Sequence, residues 1–413
     1  MLALIVFAQA IVYAQPVIQW ERSFQGVGGG NTSMTSVLQT SDGGYLLAGS
    51  SNASAGGDKS ESSRGGSDYW VIKLRADRSI EWEKIYGGLR QDMLQTAVQT
   101  SDGGFLLGGQ STSDIGYEKS EPYLGKEYFG IYPPDFWVIK IDANGNKQWD
   151  RTLGGAGDDL FGSAKQTPDG GYIIGGSSDT WYNAIKLDSF GKKVWQKFYR
   201  SPAGYNLLRS ITPTSDGGYI LVGNSDSQAG YDKSESSKGG LDDYWIIKID
   251  GSGVAQWDKT YGGSGRESGI EATQINDGGY IITGLIDSPA DGVKTENNRS
   301  FDTWVLKLSN NGSLEWEKTL GGSQIPQDPY IASTNIALFN ETTEGNLVFG
   351  GYSSGKSSPD KTQDITGAWM VTLSKAGKIV ADTTFAYKAS IFKNTTDGGF
   401  VIGGGSTYQI EST

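Results

Sequence analysis

A chain of 413 residues with 35 basic and 47 acidic side chains, net −12, lacks the positive excess that nucleic acid or an anionic membrane surface requires. It contains no cysteine and no histidine, which removes disulfides, thiol nucleophiles, Ser-His-Asp triads and most zinc, copper and haem sites. Catalysis must rest on carboxylates, Tyr, Lys or Arg, and a metal must be a hard cation such as Ca²⁺.

The chain opens "MLALIVFAQAIVYAQPVIQW", an apolar stretch ending in the small-residue pattern "VYAQ". It reads as a secretory signal peptide, residues 1–14, cut after Ala14, and is too short to span a bilayer. No Lys or Arg precedes the apolar run, which departs from the usual pattern.

From Asp42 onward an Asp-Gly-Gly element recurs, at Asp42, Asp102, Asp169, Asp216, Asp277 and Asp397, with a degraded copy at Glu344. Self-similarity in fixed order means a repeat architecture. Each unit has one grammar. A short run ("SVLQT", 36–40) leads into "SDGG", then "YLLAGSS" (45–51); Asp-Gly between two such runs is a hairpin signal. A polar loop follows, then "YWVIKL" (69–74), a turn, and "IEWEKIYGG" (80–88). Four strands per unit, a to d, with no helical periodicity and about seven units, predict a single seven-bladed β-propeller over residues 15–413.

Strand c carries Trp70, Trp137, Trp181, Trp245, Trp304 and Trp369, expected as blade-to-blade core. Strand d opens the mature chain (18–24), and strands a and b close it (390–406), so the N-terminal strand d completes the last blade. Strand c of that blade is missing. Either the sequence stops short of the natural C-terminus or another segment fills the gap. Trp70 and Trp82 are 12 apart, and 12 back from Trp20 lands on Ala8, so an uncleaved leader is in register to stand in. The signal peptide with a truncated C-terminus is the favoured expectation.

The a–b and c–d turns are short and stereotyped, whereas the b–c loops are long and variable, which makes the b–c/d–a face the candidate functional face. Its loops repeat a motif: "GGDKSESSRGGSDYW" (56–70) returns as "GYDKSESSKGGLDDYW" (230–245), with partial copies at 116–125, 292–304 and 360–369. The third blade has only "SSDTW" (177–181). Candidate ligand contacts are Asp58, Lys59, Glu61, Glu118, Lys119, Glu121, Asp232, Lys233, Glu235, Lys294 and Glu296. A loop of Lys, Ser and Glu is expected to be solvated, and plain duplication of a solvated loop is the blander reading.

An Asp stands two residues before the strand-c Trp, at Asp68, Asp135, Asp179, Asp243 and Asp302. Accepting backbone N–H bonds is its expected role. Calcium is disfavoured, since one carboxylate per blade supplies too few oxygens, and no other cofactor is indicated. The d–a loops add Asp92, Asp158, Asp159 and Glu267. Paired carboxylates there could cleave glycosides only at a defined separation. "GVGGG" (26–30) is no phosphate loop, because no Lys-Ser/Thr follows.

On these motifs the repeat resembles secreted and cell-surface β-propeller proteins of Bacteroidetes-type bacteria. The likeness covers about residues 16–406. It implies export to the cell surface, often with a C-terminal sorting domain, and no defined catalytic residues. "KIDANGNKQW" (140–149) also looks like the tryptophan-docking strands of quinoprotein-type propellers, without their cofactor apparatus. The expected function is a binding or adhesion module for glycan or protein. A carboxylate-based glycan-cleaving enzyme and a structural surface component are the alternatives.

Overall fold

The computed structural model describes residues 2–8, 17–297, 301–323, 334–388 and 391–405. Regular structure among them is β-strand throughout. Strands β1 (Leu2–Ala8) and β2 (Val17–Phe24) open the chain. Blade 1 comprises β3 (Thr32–Gln39), β4 (Tyr45–Ser51), β5 (Asp68–Leu74) and β6 (Ile80–Tyr86). Blade 2 comprises β7 (Asp92–Gln99), β8 (Phe105–Ser111), β9 (Asp135–Ile141) and β10 (Lys147–Leu153). Blade 3 comprises β11 (Asp159–Gln166), β12 (Tyr172–Ser178), β13 (Trp181–Leu187) and β14 (Lys193–Tyr199). Blade 4 comprises β15 (Asn206–Pro213), β16 (Tyr219–Ser225), β17 (Asp243–Ile249) and β18 (Ala255–Tyr261). Blade 5 comprises β19 (Glu267–Gln274), β20 (Tyr280–Ile286), β21 (Asp302–Leu308) and β22 (Leu314–Leu320). Blade 6 comprises β23 (Thr334–Glu341), β24 (Leu347–Ser353), β25 (Gly367–Leu373) and β26 (Ile379–Phe385), and β27 (Ile391–Asn394) and β28 (Phe400–Gly405) end the chain.

These are the four-stranded antiparallel blades of a β-propeller. Six blades of four consecutive strands each are present, against an expected count of seven. The chain ends combine into a further four-stranded sheet, in the order β2-β1-β28-β27. There β1 takes the place of the missing strand c, antiparallel to both neighbours. The register differs from the one that counting gives. In blade 1 Lys73 faces Trp82 and Trp70 faces Ile85, whereas Val6 faces Trp20 and Ala3 faces Ser23. The counterpart of Trp70 is therefore Ala3, not Ala8, since it lies 17 residues before Trp20 where Trp70 lies 12 before Trp82. The expected cleavage after Ala14 lies outside the described residues.

The chain divides into two compact units, Met1–Phe161 with Ile391–Thr413, and Gly162–Ser390. Within each, every residue of strands such as β4, β5, β16 and β17 is buried, since a neighbouring sheet covers either face. Tyrosine and tryptophan bolt neighbours together. Tyr69 packs on Trp137 with ring centroids 5.0 Å apart and donates its hydroxyl to the Trp137 carbonyl at 3.1 Å. Tyr182 and Tyr244 repeat this on Trp245 and Trp304. The strand-d tryptophans reach the next blade's c–d turn: Trp82 Nε1 donates to the Ala143 carbonyl at 2.9 Å, and Trp316 to that of Lys375 at 2.9 Å.

The Asp-Gly-Gly element is the a–b hairpin turn. Asp42 accepts from the Gly44 amide at 2.9 Å and pairs with the buried Lys73 ammonium at 2.8 Å. Asp102–Lys140, Asp169–Lys186, Asp216–Lys248 and Asp277–Lys307 repeat the pair. Its two glycines differ in role: Gly43 holds φ of 81°, whereas a Cβ on Gly44 would lie 2.1 Å from the Leu74 carbonyl oxygen.

Candidate functional site

The expected solvated loop is not solvated at its lysines. Lys59, Lys119, Lys233 and Lys294 are all at most 3% exposed. Lys59 Nζ donates to the carbonyls of Ala53 (3.0 Å) and Glu61 (2.7 Å) and to Ser63 Oγ (3.2 Å). Lys233 donates to the Glu235 carbonyl (2.8 Å) and Thr260 Oγ1 (3.0 Å), and Lys294 to the Glu296 carbonyl. Lys119 bonds Thr152 and the Glu121 carbonyl. Burial lowers all four ammonium groups, Lys233 to about 8. A long aliphatic stem lets each lysine thread the loop and satisfy carbonyls that water cannot reach.

The acids of the same motif are engaged too. Asp58 accepts from the Gln25 amide, Asp232 from the Arg200 amide, and Glu118 from the Gly87 amide, each tying a b–c loop to the preceding d–a loop. Glu121 accepts from the Thr152 amide at 2.7 Å. Glu61 pairs with Arg64, Glu235 with Lys238 and Glu296 with Lys318.

A recurrent rivet explains the motif. The strand-c tryptophan donates Nε1 to a carboxylate on strand d, and the same carboxylate accepts the amide of the motif's Ser or Thr. Asp150 takes Trp137 Nε1 at 3.0 Å and the Ser120 amide at 2.9 Å. Asp258 takes Trp245 and Ser234, and Asp382 takes Trp369 and Thr362. Glu83 serves Trp70 and Ser60, and Glu317 serves Trp304 and Thr295. All five tryptophans are fully buried.

Blade 3 is the exception, and Trp181 and Asp179 need correction. Lys186 pairs with Asp169 as Lys73 does with Asp42, so Asn183, three residues before that lysine, holds the place of Trp70. Trp181 stands where the other blades have Asp, and it is only half-buried. Asp179 precedes the strand, exposed, at φ of 54°. Loop, tryptophan and strand-d acid vanish together: Gln196 replaces the acid and donates to Asn183 Oδ1 at 3.2 Å. The repeated "DTW" spelling hid a shift of two residues.

At the other blades the strand-c aspartates are wholly buried: Asp68, Asp135, Asp243 and Asp302. Asp68 accepts from the Arg64 amide at 2.6 Å, Asp135 from the Leu124 amide at 2.8 Å, and Asp243 from the Lys238 amide. The d–a acids lie beside them. Asp92 accepts from the Gly88 amide (2.8 Å) and Ser113 Oγ (2.9 Å), Asp159 from the Gly155 amide (2.7 Å), and Glu267 from the Gly263 amide (2.9 Å). Asp158 alone among them is exposed.

Burial raises these acids, Asp68 and Glu267 to about 7 and Asp135 to about 6, with Asp92 and Asp243 also raised. Neighbouring carboxylates add to this, Asp92 beside Asp68 and Asp243 beside Glu267. Asp68, Asp92, Asp135 and Asp243 each keep one Oδ1 without a hydrogen-bond partner among the described residues. In the pairs Asp68–Asp92 and Asp243–Glu267, a proton held between the two carboxyl groups satisfies such oxygens. Among the described residues no group of three or more acidic side chains converges on one point.

What the loop face does expose is apolar, and the sequence reading passed over it. Blade 2's b–c loop presents Ile115, Tyr117, Leu124, Tyr128, Phe129 and Ile131 to solvent. Tyr128 and Ile131 exchange amide–carbonyl bonds at 3.0 and 2.9 Å, closing a two-residue turn on Phe129 (φ 52°) and Gly130 (φ 80°). Both central residues are left-handed, as a type I′ turn requires, and Asn or Gly normally takes the first place. Here it is a phenylalanine with its ring fully in water. Tyr117 and Tyr231, 65% and 80% exposed, also hold φ of 52°. The equivalent positions in blades 1 and 5 are Gly57 and Gly292, at 63° and 59°. The available signal was the insertion "LGKEYFGIYPP" (124–134), which blade 2 alone carries.

No family model matches this chain, and no curated protein matches it. Among solved structures it is similar to BamB from Moraxella catarrhalis (13% identity, 95% of this chain and 88% of that one, TM-score 0.42). It is also similar to the Neurospora crassa Pan2 WD40 domain (9% identity, 92% and 91%, TM-score 0.48). A third is BBS1N in complex with ARL6DN (9% identity, 94% and 98%, TM-score 0.46). Among the described residues no helix is long and apolar enough to cross a membrane.

Proposed function

We propose that this chain is a binding or adhesion module that docks a protein partner through its b–c loops. The reading includes a single seven-bladed ring, closed by the N-terminal strand β2. The observation that carries it is the set of exposed aromatic rings at left-handed positions: Tyr117, Phe129 and Tyr231. A bulky side chain there costs on the order of 1 kcal/mol, and so does an apolar ring left in water. Both costs fall on the same three residues, and strain that glycine would relieve points to a use for the side chain. Aliphatic Ile115, Leu124 and Ile131 around the Phe129 tip favour protein over sugar, because aliphatic groups offer no stacking face.

The glycan-cleaving alternative rested on Asp92, Asp158, Asp159 and Glu267, and all but Asp158 are buried and hold loop amides.

The test is cross-linking of purified chain, carrying a photo-reactive group at Tyr128, to intact cells and their surface proteins. A discrete protein adduct that Phe129→Gly abolishes, with thermal stability unchanged, is the expected result. Adducts that Phe129→Gly leaves intact would overturn the reading.

Secretion is part of the proposal, with residues 1–14 as leader. The intact mass of exported chain beginning at Gln15 supports it. Retention of Leu2–Ala8 assigns those residues to the terminal sheet instead and overturns the leader.

A further inference from the structure

We propose that the outer surface of blade 3 is a second binding site, for an acidic polysaccharide, separate from the aromatic loops of blade 2. The loss of the b–c loop has a steric consequence. In blade 2 the motif covers the outer part of strands c and d: Lys119 lies 5.8 Å from the Trp137 ring centroid and bonds Thr152. In blade 3 no described residue takes that place, and the residues beneath are different. Phe198 stands where blade 2 has Thr152 and blade 4 has Thr260, and its ring is exposed.

Trp181 meets Phe198 edge-on with centroids 6.3 Å apart, and the Arg200 guanidinium lies 4.6 Å from the Trp181 centroid. Along the same strand Lys193 bonds Gln196 Oε1 at 2.9 Å, and Val194 is exposed. From Lys193 to Arg200 the strand extends about 23 Å at roughly 3.3 Å per residue. At its turn end Val194 and Trp195 line a cleft of about 420 Å³ with Asp188, Ser189 and Ser252.

Charge decides the ligand. The chain carries −12 overall, yet residues 181–200 hold Lys186, Lys192, Lys193, Lys197 and Arg200 against the single acid Asp188, a net of 5 − 1 = +4. Among the described residues, Lys186 alone of these is committed to an internal ion pair, with Asp169. Cations flanking aromatic faces suit a chain of sugar rings that bear carboxylates: the C–H faces stack on the rings, and the carboxylates meet guanidinium and ammonium. An added acidic β-strand is the less suited occupant, because Lys193 and Lys197 project from an exposed edge strand, the arrangement that discourages strand pairing.

The experiment is isothermal titration of the full chain with polygalacturonate, neutral dextran and poly-glutamate, at roughly 50 and 500 mM NaCl, spanning Debye lengths from well above to well below 10 Å. Polygalacturonate should bind and dextran should not. Lys193→Gln with Arg200→Gln should weaken binding about tenfold or more, the scale of one or two charge-assisted contacts. Phe198→Thr, the residue sibling blades carry, should weaken it at high salt, where stacking persists. Phe129→Gly should leave it unchanged, which separates this site from the protein-docking reading. Absence of binding, equal binding of poly-glutamate, or indifference to Phe198→Thr would each overturn the proposal.

Discussion

Four homologous loop positions show what a single backbone angle decides. Gly57, Tyr117, Tyr231 and Gly292 all sit at φ between 52° and 63°, yet two of them are tyrosines. Stability alone would place glycine at all four. Tyr231→Gly should therefore raise the unfolding free energy by up to about 1 kcal/mol, less the entropy glycine gives back in the unfolded chain. Urea unfolding of the two proteins side by side reads this directly. A loss of stability would mean that the ring is held by packing, which its 80% exposure argues against. The spelling difference between "GGDKSE" and "GYDKSE" was plain in the sequence, but the sign of φ was not. Without it, a strained tyrosine looks like any other loop tyrosine. The lysines misled for the opposite reason: charge predicts exposure, and only the geometry shows carbonyls waiting for each ammonium.

Among elements, the hairpin turn was the most legible, because its demands are local. The degraded copy in blade 6 tests the account. Glu344 replaces the aspartate, Asn346 the second glycine and Thr372 the strand-c lysine, so the ion pair and the glycine that makes room for it are lost together. Gly345, whose φ is 78°, stays. At an intact turn a Cβ on Gly218 would lie 2.2 Å from the Ile249 carbonyl oxygen and 2.6 Å from Lys248 Nζ. Gly218→Ala should accordingly destabilise by about 1–3 kcal/mol, the range for overpacking, while Asn346→Gly should change little. Matching calorimetric scans of both variants settle it, and equal losses would refute the steric role. Blade 3 shows where element-level reading failed. Aligned on its tryptophan, strand c is two residues out of register; aligned on the "IKLD" ending, where Lys186 must meet Asp169, it is correct. An ion pair fixes register more tightly than an aromatic ring, which packs in more than one place.

At the scale of the molecule, two sets of carboxylates pull stability in opposite directions with pH. Burial pushes Asp42, Asp169 and Asp216 up, but lysine, threonine and glycine partners outweigh it and leave each at about 2. Their contribution is present above the ordinary aspartate value of about 4 and is lost as pH falls toward 2. These side chains are more than half exposed, so solvent screening makes that limb shallow. The loop-face acids have the reverse sign. Asp68, Asp135 and Glu267 titrate between about 6 and 7 because burial favours their neutral form. Their contribution is whole below about 4 and is lost as pH rises through 6 to 7. The melting temperature should peak in mildly acidic solution, near pH 4 to 5, and fall from there to pH 8. Asp68→Asn with Asp135→Asn should flatten the fall above pH 5 and leave the acid limb as it was, since an amide stays neutral at either pH. A melting profile that instead rises steadily to pH 8 would mean that these acids are ionised in the folded chain. Their unpartnered Oδ1 atoms would then need a cation rather than a proton, and the b–c/d–a face would have to be read again as a place that holds one.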